Sequence, residues 1–149
     1  MKYKQNGGTD INAKDDNGRT KLMITSKYGE LKLVKLLIEK GANVNAQDKY
    51  GKTALMLASE NNRLKNIELL VSKGADINAK DNEGKTALMF ACEKGHLKLV
   101  KLLIEKGADI NARNNNGQTM LMISFYSRNL EVAKFLVSKG ANVNERDNN

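Results

Sequence analysis

Between residues 97 and 104 the apolar side chains Leu97, Leu99, Val100, Leu102, Leu103 and Ile104 leave only one polar stripe, made by Lys98, Lys101 and Glu105 at intervals of three and four. The pattern predicts an outer helix buried over most of its circumference. Upstream, Ala87-Leu88-Met89-Phe90-Ala91 contains no breaker and follows Thr86, whose hydroxyl suits the exposed amides of a first helical turn. A shorter inner helix is therefore expected before the turn at Lys94-Gly95. Gly107 closes the outer helix because glycine accepts a positive φ, and Lys106 complements the negative end of the helix dipole. Residues 108–117 are polar and turn-rich except Ile110, which alternates toward the interior, and they predict a hairpin-like finger.

The whole pattern recurs. Gly8, Gly41, Gly74, Gly107 and Gly140 step by 33 residues, and Gly18, Gly51, Gly84 and Gly117 step by 33 in a second phase. Thr20, Thr53, Thr86 and Thr119 keep the interval, as do Leu22, Leu55, Leu88 and Leu121, Met23, Met56, Met89 and Met122, and Asn45, Asn78, Asn111 and Asn144. A period of this size predicts a solenoid, in which each unit is too small to bury its own apolar face and stacking supplies the partner. A longer period overlies it: Leu31–Ala42 is identical to Leu97–Ala108, and Leu70–Ala75 matches Leu136–Ala141, each pair 66 residues apart. Stacking interfaces of one kind should then recur at every second unit.

The stretch Asp81-Asn82-Glu83-Gly84-Lys85-Thr86-Ala87-Leu88-Met89 through Gly107-Ala108-Asp109-Ile110-Asn111-Ala112 resembles an ankyrin repeat nearly position by position. The resemblance implies an all-α ankyrin-repeat solenoid of stacked helix-turn-helix units with β-hairpin-like finger loops. It spans a single domain, 1–149, with a partial repeat at 1–14, full repeats at 15–47, 48–80, 81–113 and 114–146, and the start of a further finger at 147–149. Where the family reads Thr-Pro-Leu-His, this chain reads Thr20-Lys21-Leu22-Met23, Thr53-Ala54-Leu55-Met56, Thr86-Ala87-Leu88-Met89 and Thr119-Met120-Leu121-Met122. Asn62 and Arg128 stand where the family has Gly between its helices, which predicts strained or reshaped second and fourth turns. Upstream of residue 8 only Tyr3 is a plausible packing residue, and Phe125 and Phe135 replace Cys92 and Leu102. These thin caps favour a segment of a longer array over a complete small protein, with weak self-association through uncapped ends.

Composition narrows the chemistry. A single cysteine and a single histidine, Cys92 and His96, exclude an internal disulfide and nearly exclude a thiolate metal cage or a catalytic triad. Cys92 shares a small-residue position with Ser26 and Ser59 and reads as core; His96 reads as a helix-start residue. The Asn and Asp clusters lack the ligand spacing of a calcium loop, and Gly51-Lys52-Thr53 lacks the upstream glycine of a phosphate loop. The Met column reads as core filler rather than a soft-metal site. No catalytic residue, cofactor or metal site is expected. Met1–Gly8 lacks an apolar core for a secretory signal and no span could cross a membrane, which points to an intracellular chain, cytoplasmic in the first instance. The finger asparagines also match, in family terms, acceptors of asparaginyl hydroxylation, although tying one finger to the next explains them more simply.

The resemblance assigns recognition to the concave face of finger tips and inner helices. The family's variable positions project onto Lys14, Asp16, Asn17, Arg19, Lys27 and Tyr28; Gln47, Lys49, Tyr50, Lys52, Glu60 and Asn61; Lys80, Asn82, Glu83, Lys85, Glu93 and Lys94; and Arg113, Asn115, Asn116, Gln118, Tyr126 and Ser127. Within that set Arg19, Lys27, Tyr28, Lys49, Tyr50, Lys52, Glu60, Lys85, Glu93, Lys94, Arg113 and Tyr126 are the candidate partner-binding residues. Three of the chain's four tyrosines fall there, and Tyr and Arg are enriched in interface hot spots. Function is thus expected to be a non-enzymatic protein-protein interaction scaffold or adaptor. The alternatives are a purely structural or self-associating segment of a longer array and, behind it, a basic nucleic-acid surface. The formal charge of +8 suits an acidic protein or peptide partner; without a groove-entering helix or an Arg cluster it argues against nucleic acid.

Overall fold

The computed structural model describes residues 10–149. Expectations for Tyr3, Gly8 and the rest of the first nine positions lie outside the described residues. Eight helices follow one another: α1 Lys21–Tyr28, α2 Leu31–Glu39, α3 Ala54–Glu60, α4 Leu64–Ser72, α5 Ala87–Lys94, α6 Leu97–Glu105, α7 Met120–Tyr126 and α8 Leu130–Ser138. No strand occurs among the described residues; the fingers are built from turns. The chain forms two compact units, one extending to Asp76 and one of Ile77–Asn149, each with two helix pairs. In the first unit α1 packs on α2 and α3, α3 on α4, and α2 on α4; in the second α5, α6, α7 and α8 repeat those contacts.

Each inner helix starts where the sequence predicts. Thr20, Thr53, Thr86 and Thr119 have extended backbones, and their hydroxyls accept the amides of Met23, Met56, Met89 and Met122 at 3.3 to 3.4 Å. The cap satisfies a donor that the helix itself leaves without a partner. Behind it the Leu and Met columns enter the core: Leu22, Met23, Leu55, Met56, Leu88 and Met89 are each 1% exposed, and burial of such a side chain stabilises by about 1.5–3 kcal/mol. Met122 is only half-buried.

The turns between paired helices alternate. Gly29 and Gly95 are left-handed, at φ 79° and 71°, after inner helices of 8 residues. The inner helices α3 and α7 have 7 residues, and the left-handed position is filled by Asn62 and Arg128, at φ 55° and 58°. These two turns therefore keep the left-handed geometry without glycine, and the strain falls on a side chain's Cβ.

The outer helices divide. In α6 only Lys98, Lys101 and Glu105 are exposed, as the pattern predicts. The identical segment in α2 buries only Val34 and Leu37, and Leu33 and Leu36 are 38% and 47% exposed. Burial over most of the circumference is thus corrected for α2. Neighbouring elements, rather than the helix's own apolar pattern, decide how much of it is covered.

Asp15, Asp48, Asp81 and Asn114 head the finger tips. The Asp48 amide donates to the Lys52 carbonyl at 2.9 Å, while its Oδ1 accepts the amides of Tyr50 and Lys52, both at 2.9 Å. Within each unit adjacent tips are joined by single backbone bonds, Lys49 to Asn17 at 3.0 Å and Asn115 to Glu83 at 2.9 Å. Gly84 is needed there: its φ is 75°, and a Cβ would stand 2.9 Å from the Asn115 nitrogen. Finger bases are joined by an asparagine ladder. Asn45 donates to the Gly74 carbonyl at 3.0 Å and accepts the Asp76 amide at 2.7 Å, and Asn78 does the same with Gly107 and Asp109 at 3.2 and 2.8 Å. Asn12 makes the equivalent pair with Gly41 and Asn43. The expectation that the finger asparagines tie neighbouring fingers is met at Asn45 and Asn78 and not at Asn111, whose side chain bonds neither Gly140 nor Asn142.

Candidate functional site

The candidate residues emerge on two kinds of local frame. Lys27 and Tyr28 end α1, immediately before the left-handed Gly29; Lys49 and Tyr50 sit on a finger tip that Asp48 holds through the Tyr50 amide. Tyr28 is 58% and Tyr50 51% exposed. Lys27 Nζ lies 5.4 Å from the centre of the Tyr28 ring, and Lys49 Nζ 5.1 Å from that of Tyr50. Both distances fall inside the range of cation–π attraction, which at exposed sites is worth about 0.5–1 kcal/mol. Each ring thereby keeps a cation beside it on a surface it leaves open.

In the second unit Tyr126 ends α7, 66% exposed, and its hydroxyl lies 3.2 Å from Asp147 Oδ2. That hydrogen bond, and then the carboxylate's charge, raise the phenol's pKa above its ordinary value. Phe125 beside it is 58% exposed. In sequence Phe125 stands where Cys92 does. Its position holds Ser26, Ser59 and Cys92 elsewhere, all fully buried, so a slot sized for a small side chain was the signal that a ring would turn outward.

Most of the charged candidates are brought together with partners from within their own unit. Lys52 Nζ meets Glu60 at 2.7 Å, and Lys85 Nζ lies 3.5 Å from Glu83 and 3.7 Å from Glu93. Solvent-accessible pairs of this kind contribute about 0–1 kcal/mol each. Arg19 Nε lies 3.4 Å from Asp48, whose side chain is fully buried, so this guanidinium serves the join between two fingers. Arg113 pairs with Glu145 and donates to the Arg146 carbonyl at 3.1 Å; Lys14 and Lys80 reach the carbonyls of Gln47 and Arg113 at 2.8 and 3.1 Å. These cations brace finger bases. Lys94, at the end of α5, is exposed.

Cys92 and His96 carry the remaining candidate chemistry. Cys92 is fully buried, and burial pushes its thiol up to about 12, which keeps the thiolate nucleophile away at neutral pH. His96 stands at the start of α6 and caps it with no side-chain bond. Among the described residues no group of three His, Cys, Asp or Glu side chains could hold a metal, and no helix is long and apolar enough to cross a membrane.

A comparison with curated proteins returned no match. A family model described as ankyrin repeats (3 copies) matches residues 2–81 and again 78–147. With its threonine-capped inner helices, its alternating left-handed turns and its ladder of finger asparagines, the chain belongs to the ankyrin-repeat family, in the all-α class of repeat solenoids.

Proposed function

We propose that the chain is an interaction scaffold that holds a protein or peptide partner on its finger tips and inner-helix ends, with Tyr28 and Tyr50 as anchors on the first unit and Tyr126 on the second. Ankyrin repeats are generally protein-protein interaction modules and generally non-enzymatic. The observation that carries the residue-level reading is the exposure of all three rings, more than half of each, at helix ends and a finger tip outside the core. Lys27 and Lys49 beside two of those rings favour a partner with acidic groups near its aromatic-binding surface. The internal pairing of Arg19, Lys52, Lys85 and Arg113 moves the weight of recognition from charge to the tyrosines.

Affinity capture with the unaltered chain, with Tyr50→Ala plus Lys52→Ala, and with Tyr28→Ala tests this. Each variant should keep its helical circular dichroism and hold the captured partner about 5- to 1,000-fold more weakly, corresponding to a hot-spot loss of about 1–4 kcal/mol. Equal recovery by folded variants refutes the assignment. Binding that collapses with rising salt and survives tyrosine removal identifies a polyanion instead.

A further inference from the structure

Three rungs of the asparagine ladder are closed, at Asn12, Asn45 and Asn78, and the fourth is open. Where Asn111 would meet Gly140 and Asn142, a cavity of about 360 Å³ lies between them. Its lining is mainly polar, with Asn111, Thr119, Asn142 and Glu145 beside the apolar side chains of Ile110, Leu121 and Ala141. The sequence departs from its own period at this place. The finger bases read Asn45-Ala46-Gln47, Asn78-Ala79-Lys80 and Asn111-Ala112-Arg113, and then Asn144-Glu145-Arg146. Ala112 is 8% exposed; a carboxylate in that slot cannot lose its water without a partner. Glu145 finds two: it pairs with Arg113 and accepts from Asn142 Nδ2 at 3.1 Å. The start of the last finger is thereby held by Arg113 rather than by Asn111.

We infer that this open rung is a binding site for an extended, uncharged peptide segment with a small aliphatic side chain. A closed rung consists of one side-chain amide that donates to a carbonyl and accepts an amide two residues further on. Opened, it leaves a donor and an acceptor on the Asn111 wall and an acceptor and a donor, the Gly140 carbonyl and the Asn142 amide, on the other. A group that pairs with both walls must offer a donor and an acceptor on each of two edges. An extended backbone does this, because successive residues turn their N–H and C=O groups to opposite sides. Ile110, Leu121 and Ala141 offer the limited apolar surface that suits a small side chain, and the volume lies in the range of small-ligand pockets, about 300–1,000 Å³. An anionic ligand is disfavoured: the one charged side chain of the lining is the carboxylate Glu145, and Arg113 is already paired with it.

The test is a titration of the ¹⁵N-labelled full chain with N-acetyl-alanyl-valyl-alanine amide, read at the Ala141 and Asn142 backbone amides and the Asn111 side-chain amide. Saturable shifts centred on these three groups are expected. Ala141→Leu, which fills the cavity, and Glu145→Ala, which restores the alanine of the other finger bases and lets the rung close, should each weaken binding at least tenfold. If Ala141→Leu does not fold, Glu145→Ala decides. The inference is overturned if no saturable shift occurs, if shifts persist unchanged in folded Glu145→Ala, or if the Asn142 amide of the free chain is as protected from hydrogen exchange as that of Asp109, which marks a rung already closed.

Discussion

Arg63 lies across Gly29: its Nε donates to the Lys27 carbonyl at 3.1 Å, and a Cβ on Gly29 would stand 2.9 Å from its Cδ. In the second unit Asn129 occupies the same place. Its Nδ2 donates to the carbonyls of Cys92 and Glu93 at 2.8 and 3.1 Å, over Gly95, where a Cβ would come within 2.5 Å of Oδ1. The residues before α4 and α8 thus cap α1 and α5, the inner helices of the neighbouring repeats, and the glycine beneath makes room for them. This accounts for part of the 66-residue superperiod: glycine in one turn and a reaching side chain in the next form one interface, repeated once per unit.

Gly95→Ala should therefore destabilise by about 1–3 kcal/mol, from the left-handed backbone together with the collision with Asn129. Urea unfolding of Gly95→Ala, Asn129→Ala and the double variant is the measurement. A coupling energy of about 0.5 kcal/mol or more is expected between the two; strict additivity shows that they do not form one interface.

Arg128→Gly should stabilise by about 0.5–1 kcal/mol, because φ 58° strains a side chain with a Cβ and glycine does not resist it. Asn62→Gly, at φ 55°, should gain less, since asparagine tolerates the left-handed region better than arginine. Thermal unfolding of the two variants side by side checks the order.

Loss of a buried cap should cost more than loss of an exposed residue of the same kind. Thr86 is 2% exposed and accepts the Met89 amide, so Thr86→Ala should lower stability by about 0.5–2 kcal/mol in denaturant titration, with Thr86→Ser retaining most of it.

Cys92 holds its proton to about 12 when folded, against 9.0 for the free thiol, so the folded state binds the proton more tightly. The resulting stability is fully present below the lower value and is lost as pH rises from one to the other. Cys92→Ala should remove this alkaline decline. In the native chain iodoacetamide at about pH 8 should leave the thiol unmodified and should label it rapidly in denaturant.

The places where helices start and turns fall could be read from the residues alone, because each depends on neighbours within one turn of chain: the Thr86 hydroxyl three residues from the amide it accepts, Asp48 two and four from those it holds. The finger ladder was legible at Asn45 and Asn78 for a related reason, since a strict period returns the same partner each time. What the period could not express was decided by packing between segments. The same LKLVKLLIE segment exposes Leu33 and Leu36 in α2 yet buries Leu99 in α6, because burial belongs to the surroundings of a helix and not to its letters. The partners of Arg19 and Arg113 were not legible, since a guanidinium on a finger reaches an acid or carbonyl some thirty positions away only once two fingers lie side by side. The cavity beside Asn111 was likewise beyond the period, which returns asparagine there as at Asn45 and Asn78.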